Sequence, residues 1–462
     1  MSSLCPRLPA ELVDSIISCT LEIPANINNT RMQSAYVLVG RQWRNRINAQ
    51  RYRNLSIYMT GHRTAQLQAL ADICTSTVWN AKEGVAFHVQ TFNLQCGILG
   101  ITRDATDTCD PEGSRIRDAA IVDVLGCLFR DKSRRGRGVS TGLSLGAGYH
   151  GTRKARVFRF ATLGHEIIAA LDDLVRTADI ERLTLKAIWG VPWSFLSPET
   201  LRYLYIDQVK FLSPNDESVD LSVSRGCLFP NLAYIHLNDS PSFVMGLTSQ
   251  VSRTPPPVTT MEIAYETQNY DEKFWDILNH VGGNLESLTI KITGEFYDLC
   301  TPIDYRKVHV RDHFSIDIEY SIYDDEEEAD DTEQIPAFET MVRLLPPTPA
   351  REMHIVFAVS ILHFDPPHGA RGCIEDVFPG IYAPSFPEYL ERVTSEAPGT
   401  IISVVLNVSV HVNPGVTYSS SATKEHRAYL LDQFACLSGM NGVTFRVDVY
   451  EHHDLHMFRL RG

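Results

Sequence analysis

"IERLTL", Ile180 to Leu185, sets apolar residues at its first, fourth and sixth positions. The same arrangement returns in "LRYLYI", "LAYIHL", "VTTMEI" and "LESLTI". Their central apolar residues are Leu183, Leu204, Ile235, Met261 and Leu288, separated by 21, 31, 26 and 27 positions. On a strand successive side chains point to opposite faces, so the fourth and sixth residues of each hexamer share one face and their neighbours take the other. One strand per unit, apolar on one face, is the predicted element.

Helical stretches precede several of these strands. "HEIIAALDDLVRTAD" leads into "IERLTL", and "DEKFWDILNHVG" leads into "LESLTI". "FETMVRLL" precedes "MHIVFAV", and "EHRAYLLDQFACL" precedes "VTFRVDV". Strand and helix alternate to the end of the chain, which favours a parallel sheet backed by helices. Prolines at 255–257, 346–347 and 366–367 mark breaks between units, because proline continues neither a helix nor a central strand. The periodicity resembles that of leucine-rich repeats, in an irregular form without an asparagine ladder. That resemblance implies an α/β solenoid whose strands line the concave side of an arc. An ordinary α/β domain with coincidental spacing is the alternative.

The chain has 462 residues, more than the roughly 250 to 300 at which one core stops growing, so two domains or a small domain with a repeat array are expected. Hydrophobic residues make up 44% and charged residues 21%, enough apolar material for a large core. The formal net charge is −14, and removing the eight carboxylates of "DDEEEADDTE", Asp324–Glu333, leaves about −6. That run reads as a solvated insertion. A mildly acidic body argues against nucleic acid as the partner, since phosphate binders carry a basic face. The ten cysteines form no CxxC pair and read as thiols of a reducing compartment. Neither a secretory signal nor an apolar run of about 18 residues is legible, so no membrane association is expected and the location read from sequence is cytoplasmic and/or nuclear.

The N-terminus carries a second pattern. In "LPAELVDSII", Leu8–Ile17, Pro9 suits a first helical turn, Glu11 favours the positive helix start, and Leu12, Val13, Ile16 and Ile17 form one stripe. Thr30 and Gln33 fit a capping box before a segment bearing Tyr36, Val39, Trp43 and Ile47. Some fifty residues cannot bury both stripes alone, so apolar surface is left for another chain or the next domain.

"LPAELVDSII" followed by "YVLVGRQWRNRI" and "RYRNLSIY" resembles the F-box of fungal proteins. Two departures are the longer linking loop "IPANINN" and Gly40 in place of Ser or Cys. The resemblance implies binding to a Skp-type adaptor and through it to a cullin, as the substrate-receptor subunit of a ubiquitin ligase. Carried over by position, Leu8, Pro9, Leu12, Ile16, Ile17, Val37 and Val39 face the adaptor, with Trp43 in core or interface. The expected organisation is a helical F-box-like domain over 1–60. An irregular repeat domain follows over 61–462, starting from a first strand in "FHVQTFNLQ" and carrying loop insertions near 103–155 and 323–334. A scaffold acting outside any ligase is a second reading, and an N-terminal helical cap for the next domain is a third.

Catalytic patterns fail their structural conditions. "GAGYHG" places Gly146, Gly148 and Gly151 as GxGxxG, but a pyrophosphate needs a helix to start there and "TRKARVFRF" alternates as a strand. His309 and His313 of "HVRDH" lack a third ligand, and "EHHDLH" with His452, His453 and His456 reads as a terminal surface. No cofactor and no metal is therefore expected, and no catalytic residue. The candidate site for a protein target lies among the side chains between the apolar strand positions. Tyr203, Tyr205, Tyr234 and His236 lead that set, because aromatic residues concentrate binding energy at interfaces.

Overall fold

The computed structural model describes residues 41–59, 64–75, 88–96, 111–130, 141–147, 157–196, 199–212, 229–248, 254–266, 276–293, 303–323, 337–364, 384–412 and 422–452. The chain divides into two compact units, Met1–Val219 and Asp220–Gly462.

In the first unit helix α1 (Arg41–Arg51) leads into β1 (Asn54–Tyr58), followed by α2 (Thr64–Thr75) and β2 (Thr91–Cys96). Helix α3 (Pro111–Leu125) continues as a π-turn over Gly126–Arg130 and is followed by β3 (Thr141–Ala147). Next come β4 (Phe158–Arg159), α4 (His165–Thr177), β5 (Ile180–Lys186), β6 (Ile188–Val191), β7 (Tyr203–Asp207) and β8 (Lys210–Phe211). Strands β1, β2, β3, β5 and β7 form a parallel sheet in that order, and β4, β6 and β8 form a small parallel sheet of their own.

Pairing puts Leu55, Phe92, Leu143, Leu183 and Leu204 in one row across the main sheet. From Phe92 onward the row is buried. Consecutive parallel strands lying side by side, joined by right-handed crossovers, bring each connecting helix to the same face. Helix α4 matches that demand: Ile167, Leu171, Leu174 and Val175 are buried at helical spacing, with Glu166 in its first turn and Arg176 in its last. Each buried aliphatic side chain contributes about 1.5 to 3 kcal/mol.

The second unit repeats the scheme. Its strands are β9 (Tyr234–Asn238), β10 (Thr260–Glu266), β11 (Leu285–Thr293), β12 (Val310–Tyr323), β13 (Glu352–Phe364), β14 (Ile401–Val412) and β15 (Val443–His452). All pair in parallel and in sequence order. Among the described residues the helices are α5 (Pro241–Thr248), α6 (Asp276–Val281), α7 (Ala337–Leu344), α8 (Ser385–Glu396), α9 (Ala422–Gln433) and α10 (Ala435–Ser438). Ile235, Met261, Leu288, Phe314, Met353 and Ile402 occupy one buried row. The protein is thus an α/β protein built on parallel strands, and all five central residues of the quoted hexamers are buried.

Three strands end in the same way. Ala187, Gln208 and Asp239, the residues directly after β5, β7 and β9, take φ of 49°, 53° and 39°. None is glycine, so each turn carries the cost of a left-handed residue with a side chain. After Ala187 and Gln208 the chain enters the small sheet, and the Ala187 N–H donates to the Asp207 carbonyl at 2.7 Å.

Two segments differ from the expectation set by sequence. The stretch 103–155, read as a loop-rich insertion, holds α3 and β3. Neither stands out in sequence: α3 mixes Arg and Asp among its apolar residues, and β3 alternates Leu with Gly, Ser and Ala. The sheet also begins before "FHVQTFNLQ", because Asn54–Tyr58, assigned to the helical segment 1–60, pairs with β2 as a strand. The insertion Asp324–Glu333 lies outside the described residues.

Two tyrosines tie the break after α7. The Tyr305 hydroxyl donates to the Leu344 carbonyl, and the buried Tyr389 hydroxyl donates to the Pro346 carbonyl at 2.7 Å. Burial pushes both hydroxyls up from the usual tyrosine range. Tyr389→Phe strands the buried Pro346 carbonyl, so it is expected to lower unfolding free energy by about 1 to 2 kcal/mol, read from the urea midpoint at constant m-value.

Candidate functional site

The open faces of the strands are built by the alternation itself. In β5 and β7 the buried Leu183, Leu185, Leu204 and Ile206 alternate with Arg182, Thr184, Lys186, Tyr203 and Tyr205. Parallel sheets with helices on both faces read as continuous apolar runs. These strands do not, and their polar face is left partly open.

On the first unit's open face, cations stack on the candidate tyrosines. The Arg182 guanidinium lies 4.4 Å from the Tyr203 ring centre, and Lys186 Nζ lies 4.5 Å from that of Tyr205. Arg182 and Tyr203 are register partners, so the contact follows from strand pairing. Tyr203 is 39% exposed and Tyr205 is half-buried. Gly146 explains how Lys186 is accommodated: a β-carbon there would lie 3.1 Å from the Lys186 β-carbon. One glycine of the GxGxxG pattern is therefore a packing residue within β3, while Gly148 and Gly151 lie outside the described residues.

On the second unit's open face, Tyr234 and His236 stand on β9. His236 Nδ1 lies 2.9 Å from Glu262 Oε2 on β10, its N–H donating to the carboxylate. Partial burial alone would raise the Glu262 carboxyl. Hydrogen bonds from His236 and Tyr234, with the charges of His236 and Lys291, outweigh it and hold the group below the usual carboxylate range. Farther along, Lys291 pairs in register with Asp317. Burial pushes Asp317 up, opposed by the positive charges of Lys291 and His354. His313 faces Glu352 at 3.9 Å across the β12 to β13 pairing. This alternation of basic and acidic groups offers hydrogen bonds of both kinds to a polar protein surface.

The Asp317 shift has a testable sign. A carboxyl raised in the folded state weakens folding when ionised, fully above its folded value, and the penalty fades as pH falls toward the unfolded value near 4. Asp317→Asn is therefore expected to raise the melting temperature at pH 7, with the gain shrinking to nothing toward pH 4. The check is a series of melting curves over that range.

The structure brings Tyr203 and Tyr205 together on one strand and Tyr234 and His236 together on another. Leu8, Pro9, Leu12, Ile16, Ile17, Val37 and Val39 lie outside the described residues. Trp43 falls within α1, but its side chain is outside the described set. His309 precedes β12 and His313 is on it, whereas His453 and His456 lie outside the described residues. Among the described residues no group of three or more His, Cys, Asp or Glu is placed to hold a metal. Among them, too, no helix is long and apolar enough to cross a membrane. Asp317 and His354 were missed as members of the open face. Their signal was the alternation in "FSIDIEY" and in "MHIVF", which places them opposite Ile316 and Ile355.

No protein family matches the chain, and no curated protein matches its sequence.

Proposed function

We propose that this chain is a substrate-receptor subunit of a Skp, cullin, F-box type ubiquitin ligase. Its N-terminal F-box would hold the adaptor, and the open strand faces of a leucine-rich-repeat-like array would hold a protein target. The observation that carries the reading is the build of both units: parallel strands in strict sequence order, apolar on the helix side and varied on the other. Such a face is made for contact, because its polar rows follow from strand register while the opposite face maintains the fold.

The receptor in this reading does no bond chemistry. It raises the effective concentration of target beside a ubiquitin-loaded enzyme, and positioning alone supplies the rate. An α/β enzyme with a nucleotide or metal site in the body is a reading of a different class, and it finds less support. In open α/β sheets ligands bind where the strand order reverses, and within each unit the order runs in one direction. The scaffold alternative shares every contact of the receptor except the cullin.

Affinity purification of the full chain, followed by identification of the co-purifying proteins, tests the proposal. A Skp-type adaptor with a cullin is the expected result. An adaptor without a cullin leaves the scaffold reading, and neither protein would remove both.

A further inference from the structure

The small sheet of the first unit has an outer face that the target strip does not include. Strand pairing puts Arg159 of β4, Trp189 of β6 and Lys210 of β8 in one row. Trp189 is 45% exposed, and Leu212, whose side chain lies against the neighbouring Gly190, is 40% exposed. Lys210 Nζ lies 5.7 Å from the Trp189 ring centre. Only Ala187 and Ile188 separate this row along the chain from Lys186, whose ammonium stacks on Tyr205.

Two cations mark this face. The chain is acidic, with a formal net charge of −14, and its exposed basic side chains elsewhere repeatedly pair with carboxylates. Arg176 lies 2.8 Å from Asp172, Arg343 2.8 Å from Glu339, and Arg311 3.0 Å from Glu286. Arg159 and Lys210 have no carboxylate within ion-pair distance among the described residues, and Lys210 lies over the Trp189 ring. A cation over an indole or phenol face keeps its charge available to an incoming anion while its stem covers apolar surface.

We propose that the outer face of the small sheet, Arg159, Trp189, Lys210 and Leu212, is a docking surface for a carboxylate-rich segment of a partner protein. The acidic side chains would lie along Arg159 and Lys210, and an apolar side chain of the segment would cover Trp189 and Leu212. Aromatic rings interleaved with cations also serve single-stranded nucleic acid. Single-stranded nucleic acid is held by a basic groove that tracks its backbone over several nucleotides, which a row of two cations does not supply, whereas a short acidic peptide needs only a local contact. The proposal names the chemistry of the target and so rests on the target-receptor reading, yet it involves neither the adaptor nor the cullin.

Random peptides displayed on phage, selected on the immobilised full chain at about 0.15 M salt, test it. Selection is expected to enrich peptides rich in Asp and Glu that carry one aliphatic or aromatic residue. A synthetic peptide of the enriched sequence should lose at least tenfold in affinity to the Arg159→Ala, Lys210→Ala double variant and to Trp189→Ala. The double variant changes only exposed side chains, so its melting curve should match wild type and keep the test valid if Trp189→Ala fails to fold. No enrichment, enrichment without acidic residues, or affinity unchanged in the double variant would overturn the proposal. So would a single-stranded oligonucleotide that displaces the peptide and binds more tightly. Loss on changing Tyr203 and Tyr205 but not the small-sheet row would overturn it too, leaving the strip as the docking site. Adaptor capture is measured alongside, and its absence would count against the ligase reading alone.

Discussion

Changing Leu8, Leu12 and Ile16 together to Asp is expected to abolish capture of a Skp-type adaptor by the full chain while its cooperative melting transition stays in place. Three carboxylates in a desolvated apolar interface cost several kcal/mol each unless they find partners, and a contact of ordinary affinity does not survive that loss. The body need not respond, because the buried rows through Phe92 and Leu183 and through Met261 and Phe314 lie in strands well along the chain. Adaptor capture at wild-type level would remove these residues from the interface. Loss of the melting transition would instead identify the N-terminal stripe as a cap on the neighbouring core.

The second large effect concerns the target. Alanine at Tyr203, Tyr205, Tyr234 and His236 should reduce target binding by about 2 kcal/mol or more, roughly thirtyfold, since buried aromatic anchors carry such energies. The variant is expected to melt somewhat earlier, because the Arg182 and Lys186 stacking contacts contribute about 0.5 to 1 kcal/mol each and the hydrogen bonds from Tyr234 and His236 to Glu262 about 1 kcal/mol each, so binding is measured well below its transition. Two double variants, one at Tyr203 and Tyr205 and one at Tyr234 and His236, divide the effect between the two strands. Binding at wild-type level, with loss on deleting Asp324–Glu333, would move the docking site to the acidic run.

Much of the sheet was legible because its code is short and local. Two apolar residues two positions apart, repeated at intervals of 21 to 31, located β5, β7, β9, β10 and β11. The amphipathic spacing of Ile167, Leu171 and Leu174 located α4 in the same way. Strand β3 escaped because Gly142 and Gly146 occupy its open face, and glycine lowers the apparent strand signal while making room for Thr91 and Lys186. The left-handed turns after β5, β7 and β9 were invisible for a related reason. Ala187 and Gln208 are not residues that announce a positive φ, and Asp239, of a type that tolerates one, does so too often elsewhere to mark a turn alone.

The candidate site was legible as a set of faces and not as a set of contacts. Alternation alone placed Tyr203, Tyr205, Tyr234 and His236 opposite the buried rows. That His236 meets Glu262, and Arg182 meets Tyr203, depends on register between strands 26 and 21 residues apart. Register is fixed by turns and packing, which no single hexamer encodes. Trp189 was passed over because it follows a strand at a turn, and only the pairing of β4, β6 and β8 sets it between two cations.

Calorimetric titration of the purified chain with a purified Skp-type adaptor tests the receptor reading directly. Saturable binding of one adaptor per chain is expected, lost in the Leu8, Leu12, Ile16 to Asp variant. Absence of binding by a wild-type chain that melts cooperatively would contradict the receptor reading.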